Sequence, residues 1–147
     1  MTTYDDLSDN FAEVKDLSVE EVGEKIGGKV QWNIENGYFK NACAIRMSYA
    51  FNYSGIKINQ KDGATSSGDD GYWYMYRVKD FINYLEKNYD CDSSKDIDSF
   101  EGQQGVIVFN DCGWKDATGH IDLFDGKNVE GSDYSDLAKE IILFYVD

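Results

Sequence analysis

Apolar positions follow two regimes along the chain. Over the first two-thirds they recur at helical spacing, and towards the end they gather into short runs. Residues 1–17 are polar and show no clear period. Ser18 with Glu21 three residues on makes a capping box that predicts a short helix, ended by Gly27-Gly28. Residues 31–34 (Gln-Trp-Asn-Ile) alternate and predict a strand. A helix is predicted from near Ala42, with Gly55 past its end. Its apolar residues Ile45, Met47, Tyr49 and Phe51 point to several faces, which predicts burial. Residues 59–71, rich in Gly, Ser and Asp, predict a loop. Val78, Phe81, Ile82 and Leu85 return to helical spacing. Residues 106–109, 120–124 and 141–146 read as strands, with Asp125-Gly126 as a turn signal. Helices that come mainly first and strands that come mainly later predict an α+β fold.

Composition narrows the picture. No internal repeat, low-complexity tract or proline breaks the 147 residues, so residues 1–147 read as a single domain. No apolar run approaches the roughly 20 residues of a membrane span. The 28 Asp and Glu against 14 Lys and Arg give a formal net charge of -14. Such a surface repels nucleic acid and anionic membranes, because both are bound by neutralising phosphate. The N-terminus carries acids where a secretory signal would carry basic residues, which predicts synthesis in the cytoplasm without a signal peptide. Cys43, Cys91 and Cys112 are too sparse for a disulfide scaffold and lack the paired spacing of a zinc site. No metal or cofactor is expected.

The candidate chemistry rests on few residues. His120 is the only histidine, so an imidazole proton shuttle must use it, and it opens a predicted strand, where a side chain can emerge at a sheet edge. Cys43 falls in the first turn of the buried helix, where unpaired N–H groups and the helix dipole favour a thiolate. The bland reading, a small buried hydrophobe, suits Cys91 and Cys112, whose acidic neighbours raise a thiol pKa. A base needs a third group to hold its tautomer. Asp122, Asp125 and Asp133 all follow His120; Asp122 shares its strand face but reaches the ring awkwardly, and Asp133 returns past the turn. Spacing does not choose among them. Residues 90–101 place acids near calcium-loop offsets, but Lys95 stands where that loop needs glycine, so this run reads as a solvated connection.

Three separated blocks, Asn41-Ala-Cys-Ala-Ile-Arg-Met-Ser-Tyr-Ala, Tyr74-Met-Tyr-Arg-Val-Lys-Asp and Gly113-Trp-Lys-Asp-Ala-Thr-Gly-His-Ile-Asp-Leu-Phe-Asp-Gly, resemble the fourth class of type VI secretion amidase effectors, in the same order. The resemblance covers about residues 18–147. It implies a papain-like, NlpC-like cysteine peptidase fold with the nucleophile helix packed on an antiparallel sheet. It also implies Cys43 as nucleophile, His120 as general base and Asp133, of the pair Ser132-Asp133, as the orienting acid. Family members carry a cysteine on either side of that pair, bridged to each other. Gly131 and Ser135 stand there in this chain, and Phe124 stands in place of a Trp.

The same resemblance implies hydrolysis of the peptidoglycan stem at the D-glutamate–diaminopimelate amide. It implies export on a type VI secretion carrier into the periplasm of a rival cell, and a cognate immunity protein that occludes the site. The backbone N–H of Cys43 is a natural oxyanion donor at a helix start. Trp114 and residues 59–71 are placed to line the substrate groove. Two other readings fit the residues: a papain-like hydrolase or deamidase of another amide, and a catalytically silent member that only binds a partner. Rapid, selective alkylation of Cys43 separates the enzymes from the binder.

Overall fold

The structure, a computed structural model, describes residues 2–115 and 119–147. Asp116, Ala117 and Thr118 of the third motif block lie outside the described residues.

The N-terminal segment, expected to be unpatterned, is helix α1 (Thr3–Phe11). Thr2 and Asp5 form a reciprocal capping box, and Tyr4, Leu7 and Phe11 fall on one buried face that packs on the helix beginning at Cys43. The Ser18–Glu21 box opens α2 (Val19–Ile26) as predicted. Gly27 and Gly28 both take positive φ, turning the chain directly into α3 (Gly28–Glu35). The strand predicted at 31–34 is therefore part of a helix. Four alternating residues are too few to outweigh Val30 and Ile34, which sit one turn apart and are both buried while Trp32 is exposed.

Helix α4 (Cys43–Tyr53) is buried along nearly its whole length. Two of its polar side chains fix it in place. Ser48 Oγ accepts from the Met75 amide (3.0 Å), and Asn52 accepts from the Ile58 amide (2.8 Å) while donating to the Trp73 carbonyl (2.9 Å). These bonds tie α4 to a small hairpin, β1 (Thr65–Ser67) and β2 (Trp73–Met75). The predicted loop at 59–71 thus contains a 3-10 turn (Gln60–Asp62) and strand β1. Helix α5 (Val78–Asn88) follows as predicted.

The main sheet is antiparallel, in the order β3-β6-β4-β5, from β3 (Cys91–Ser94), β4 (Gly105–Asn110), β5 (Gly119–Phe124) and β6 (Glu140–Phe144). The acidic connection at 90–101 supplies the edge strand β3 and a 3-10 turn that buries Phe100. Both faces of the sheet are covered. Val106, Val108, Ile121 and Leu123 join the core with the helices, while Ile107, Phe109, Ile141 and Leu143 build a second core on the far side. This explains why 106–109 is continuously apolar. Strand β5 is the other edge, and α4 packs against it. That contact brings the N-terminus of α4, with Cys43, to the strand that carries His120.

Candidate active site

Cys43 is the first residue of α4 and only 3% exposed. His120 is the second residue of β5. The two side chains line one narrow cleft together with Arg46, Asp122 and Ser132. All three cysteines are free thiols. Cys112 is buried against the Phe109 carbonyl and Cys91 is exposed; desolvation and then neighbouring acids raise both thiols.

The group that holds the imidazole is Asp122. Its Oδ2 lies 2.7 Å from His120 Nε2, which leaves Nδ1 for Cys43. Two residues along a strand point to the same side, and here that spacing brings the carboxylate into hydrogen-bond contact with the ring. Asp122 is 1% exposed, yet its carboxylate is fully engaged. It accepts from the amides of Leu123 (2.8 Å), Gly131 (2.9 Å) and Ser132 (2.9 Å) besides the ring. Asp133, the expected orienting acid, does not reach His120. It is exposed, caps the Ser135 amide (2.8 Å) and lines a separate depression with Asp98, Glu101 and Lys127. The Ser-Asp segment contributes to the site through the backbone amide of Ser132.

Burial pushes the His120 pKa down, but the hydrogen bonds and charges of Asp122 and Cys43 outweigh it and raise the pKa to about 9. Asp122 and Cys43 together thus favour the imidazolium form of the ring. Arg46, one turn along α4 from Cys43, adds positive charge. Desolvation lowers its pKa while Cys43 and Asp122 act to raise it. Its guanidinium donates to the Leu17 carbonyl (2.8 Å).

Aromatic rings frame the histidine. Tyr134 meets His120 edge to face at 4.9 Å, and Trp114 packs on Tyr134 in the same manner at 4.8 Å. Trp114 lines the cleft beside Cys43 and His120, and also a larger cavity of about 530 Å³ next to it. Residues 59–71 line neither of them, because the hairpin pairing holds them away. The Cys43 amide, the expected oxyanion donor, donates to Asn41 Oδ1 at 3.0 Å. An oxyanion bound there has to displace that side chain. Sequence reasoning missed Asn41, Arg46, Tyr134 and the role of Asp122. For Asp122 a signal existed in the two-residue spacing from His120.

The profile of the type VI secretion system amidase effector protein 4 family, Tae4, matches residues 39–145. No curated protein sequence matches the chain. Among solved structures, Tae4 in the effector–immunity complex Tae4–Tai4 from Enterobacter cloacae is 38% identical, covering 99% of this chain and 98% of that one, with a TM-score of 0.87. Tae4 in the corresponding complex from Salmonella Typhimurium is 34% identical over 99% and 98%, with a TM-score of 0.89. Tae4 from Enterobacter cloacae alone is 39% identical over 99% and 96%, with a TM-score of 0.85.

Proposed function

This chain belongs to the Tae4 family of type VI secretion amidase effectors, and from that premise we propose that it cuts the peptidoglycan peptide stem at the D-glutamate–meso-diaminopimelate amide by a Cys43-His120-Asp122 mechanism. Membership makes it a peptidoglycan amidase with a papain-like, NlpC-like fold. The observation that carries the mechanism is the placement of His120 between the Asp122 carboxylate and Cys43 in one buried cleft.

The steps follow from that placement. With the Cys43 proton resting on His120 Nδ1 as a thiolate–imidazolium pair, the thiolate attacks the amide carbonyl to form a C–S bond and an oxyanion. The imidazolium returns the proton to the leaving amine as the C–N bond breaks, leaving a thioester. Water then attacks the thioester with His120 accepting its proton, and the thiolate departs. Asp122 keeps Nε2 protonated and the ring oriented throughout, so Nδ1 does the proton transfer. The oxyanion takes the Cys43 amide once Asn41 Oδ1 has moved off it.

In this reading the enzyme is made in the cytoplasm, exported on a type VI carrier, and acts in the periplasm of the target cell. A cognate immunity protein covers the cleft in the producer. The related complexes pair Tae4 with Tai4, which supports a partner of that kind here. The test is mass spectrometry of muropeptides digested by wild type and Cys43→Ala. Disaccharides that keep two stem residues, absent with Cys43→Ala, are the expected products. Sugar fragments with no stem residues would place the cut elsewhere.

A further inference from the structure

The cleft beside Cys43 reverses the charge balance of the chain. The protein has twice as many acids as bases. Around Cys43 the cleft continues past Asn41 and Trp114 into two adjoining cavities of about 530 Å³ each. Five bases line this continuous surface: Lys40, Arg46, Arg77, Lys79 and Lys115. They include both arginines of the chain. Among the described residues the acids at this surface are Asp122, which holds His120, and Asp111, which is paired with Lys139 at 3.5 Å.

Apart from the Arg46 bond to the Leu17 carbonyl, these bases keep their charge unneutralised by the described residues. Among the described residues none of the five forms an ion pair; the lysine pairs are Lys25–Glu13 and Lys139–Asp111. Arg46 Nε is buried without a hydrogen-bond partner, a costly condition that a ligand oxygen would relieve. Arg77 is held over the Tyr76 ring at 5.6 Å, and Tyr76 packs on Phe39 at 4.3 Å, so this guanidinium is positioned before any ligand arrives. In a chain of net charge -14, a groove lined by five bases without an ion-pair partner among the described residues is complementary to an anion.

We propose that this cleft binds the free carboxylates of a peptide, with Arg46 receiving the one next to the scissile amide and Arg77 a second one further along. The proposal rests on the stem-peptide reading above. A D-glutamate linked through its side-chain carboxyl keeps its α-carboxylate free a few bonds from the carbonyl attacked by Cys43. Arg46 is one helical turn from that nucleophile and suits this group, since a guanidinium fork matches a carboxylate. Diaminopimelate brings a further carboxylate on the leaving side.

The test measures binding and hydrolysis separately. Cys43→Ala protein is titrated by calorimetry with L-Ala-γ-D-Glu-meso-diaminopimelate and with the same peptide amidated at the glutamate α-carboxylate. The amidated peptide should bind roughly tenfold more weakly. Arg46→Gln in the same background should bind both peptides alike. Arg77→Gln, an exposed change with no fold to disturb, should weaken the free peptide by about three- to tenfold, with Arg77→Lys restoring most of it. Binding should also weaken as salt is raised. Equal binding of the two peptides, no binding of either, or discrimination kept in both arginine variants would overturn the proposal. Discrimination in binding, combined with no hydrolysis when Cys43 is intact, would sink the stem-cleavage reading and leave the carboxylate site standing.

Discussion

The Asp122 carboxylate occupies the space that any side chain on residue 131 would need. A Cβ built on Gly131 would collide with Asp122 Oδ2, and the Gly131 amide itself donates to Oδ1 at 2.9 Å. A cysteine at 131, as the family resemblance implies for other members, is therefore incompatible with Asp122 in this pose. Glycine at 131 and the placement of Asp122 belong together. Gly131→Ala should push the carboxylate off His120 and lower turnover at least tenfold, at a stability cost of about 1–3 kcal/mol from overpacking. Turnover at the wild-type level in purified Gly131→Ala would show that the carboxylate has another place to go.

Asp122→Asn removes the charge that fixes the imidazole and leaves the shape unchanged. Turnover should fall by about 10³- to 10⁴-fold, the size seen when a triad acid becomes an amide. Asp133→Asn touches only the Ser135 amide and should stay within about threefold of wild type. Steady-state rates on one muropeptide decide it. A larger loss in Asp133→Asn would reinstate the Ser-Asp pair as the orienting acid.

With a single histidine in the chain, its titration can be followed by NMR without assignment. The midpoint should lie near 9 in wild type and fall in both Asp122→Asn and Cys43→Ala, since both partners raise it against burial. The consequence for stability has a definite sign. The folded pKa is above the ordinary value of about 6.5, so the fold favours the imidazolium. That contribution is fully present below about pH 6.5 and is lost as pH rises through about 9. Denaturant midpoints of wild type relative to His120→Gln should therefore converge across that window. A flat difference would mean that the proton is not held by the fold.

Much of this was legible in the sequence where one local rule decided the outcome. The Ser18 box, the buried helix after Asn41 and the strands at 106–109 and 120–124 were of that kind, and with them the position of Cys43 at a helix start and of His120 in a strand. What escaped depended on contacts distant in sequence. Helix α1 shows its period only once Tyr4, Leu7 and Phe11 are seen packed on α4. Asp122 looked awkward because its bracing comes from amides nine and ten residues further on. Residues 31–34 failed for a different reason, being too short a window to separate two periods.

Helix α1 also reaches the site chemically, through Glu130. That carboxylate accepts from Tyr4 Oη and from Ser8 Oγ (2.9 Å), and the Glu130 amide donates to the Leu123 carbonyl (2.8 Å). The next two amides along, of Gly131 and Ser132, are those that hold Asp122. A chain of contacts thus runs from α1 through Glu130 to Asp122 and the imidazole, tying down the loop after β5. Burial and the Glu130 hydrogen bond both push the Tyr4 hydroxyl pKa up, so it donates to the carboxylate as a neutral phenol. Glu130→Ala strands that hydroxyl and should cost about 1–3 kcal/mol of stability. If the loop acts through Asp122, kcat should also fall several-fold at unchanged KM. The same change made in Asp122→Asn should then lower kcat no further, because the carboxylate it helps to place is already gone. Full additivity of the two changes in kcat would reduce the Glu130 contacts to a purely structural tie.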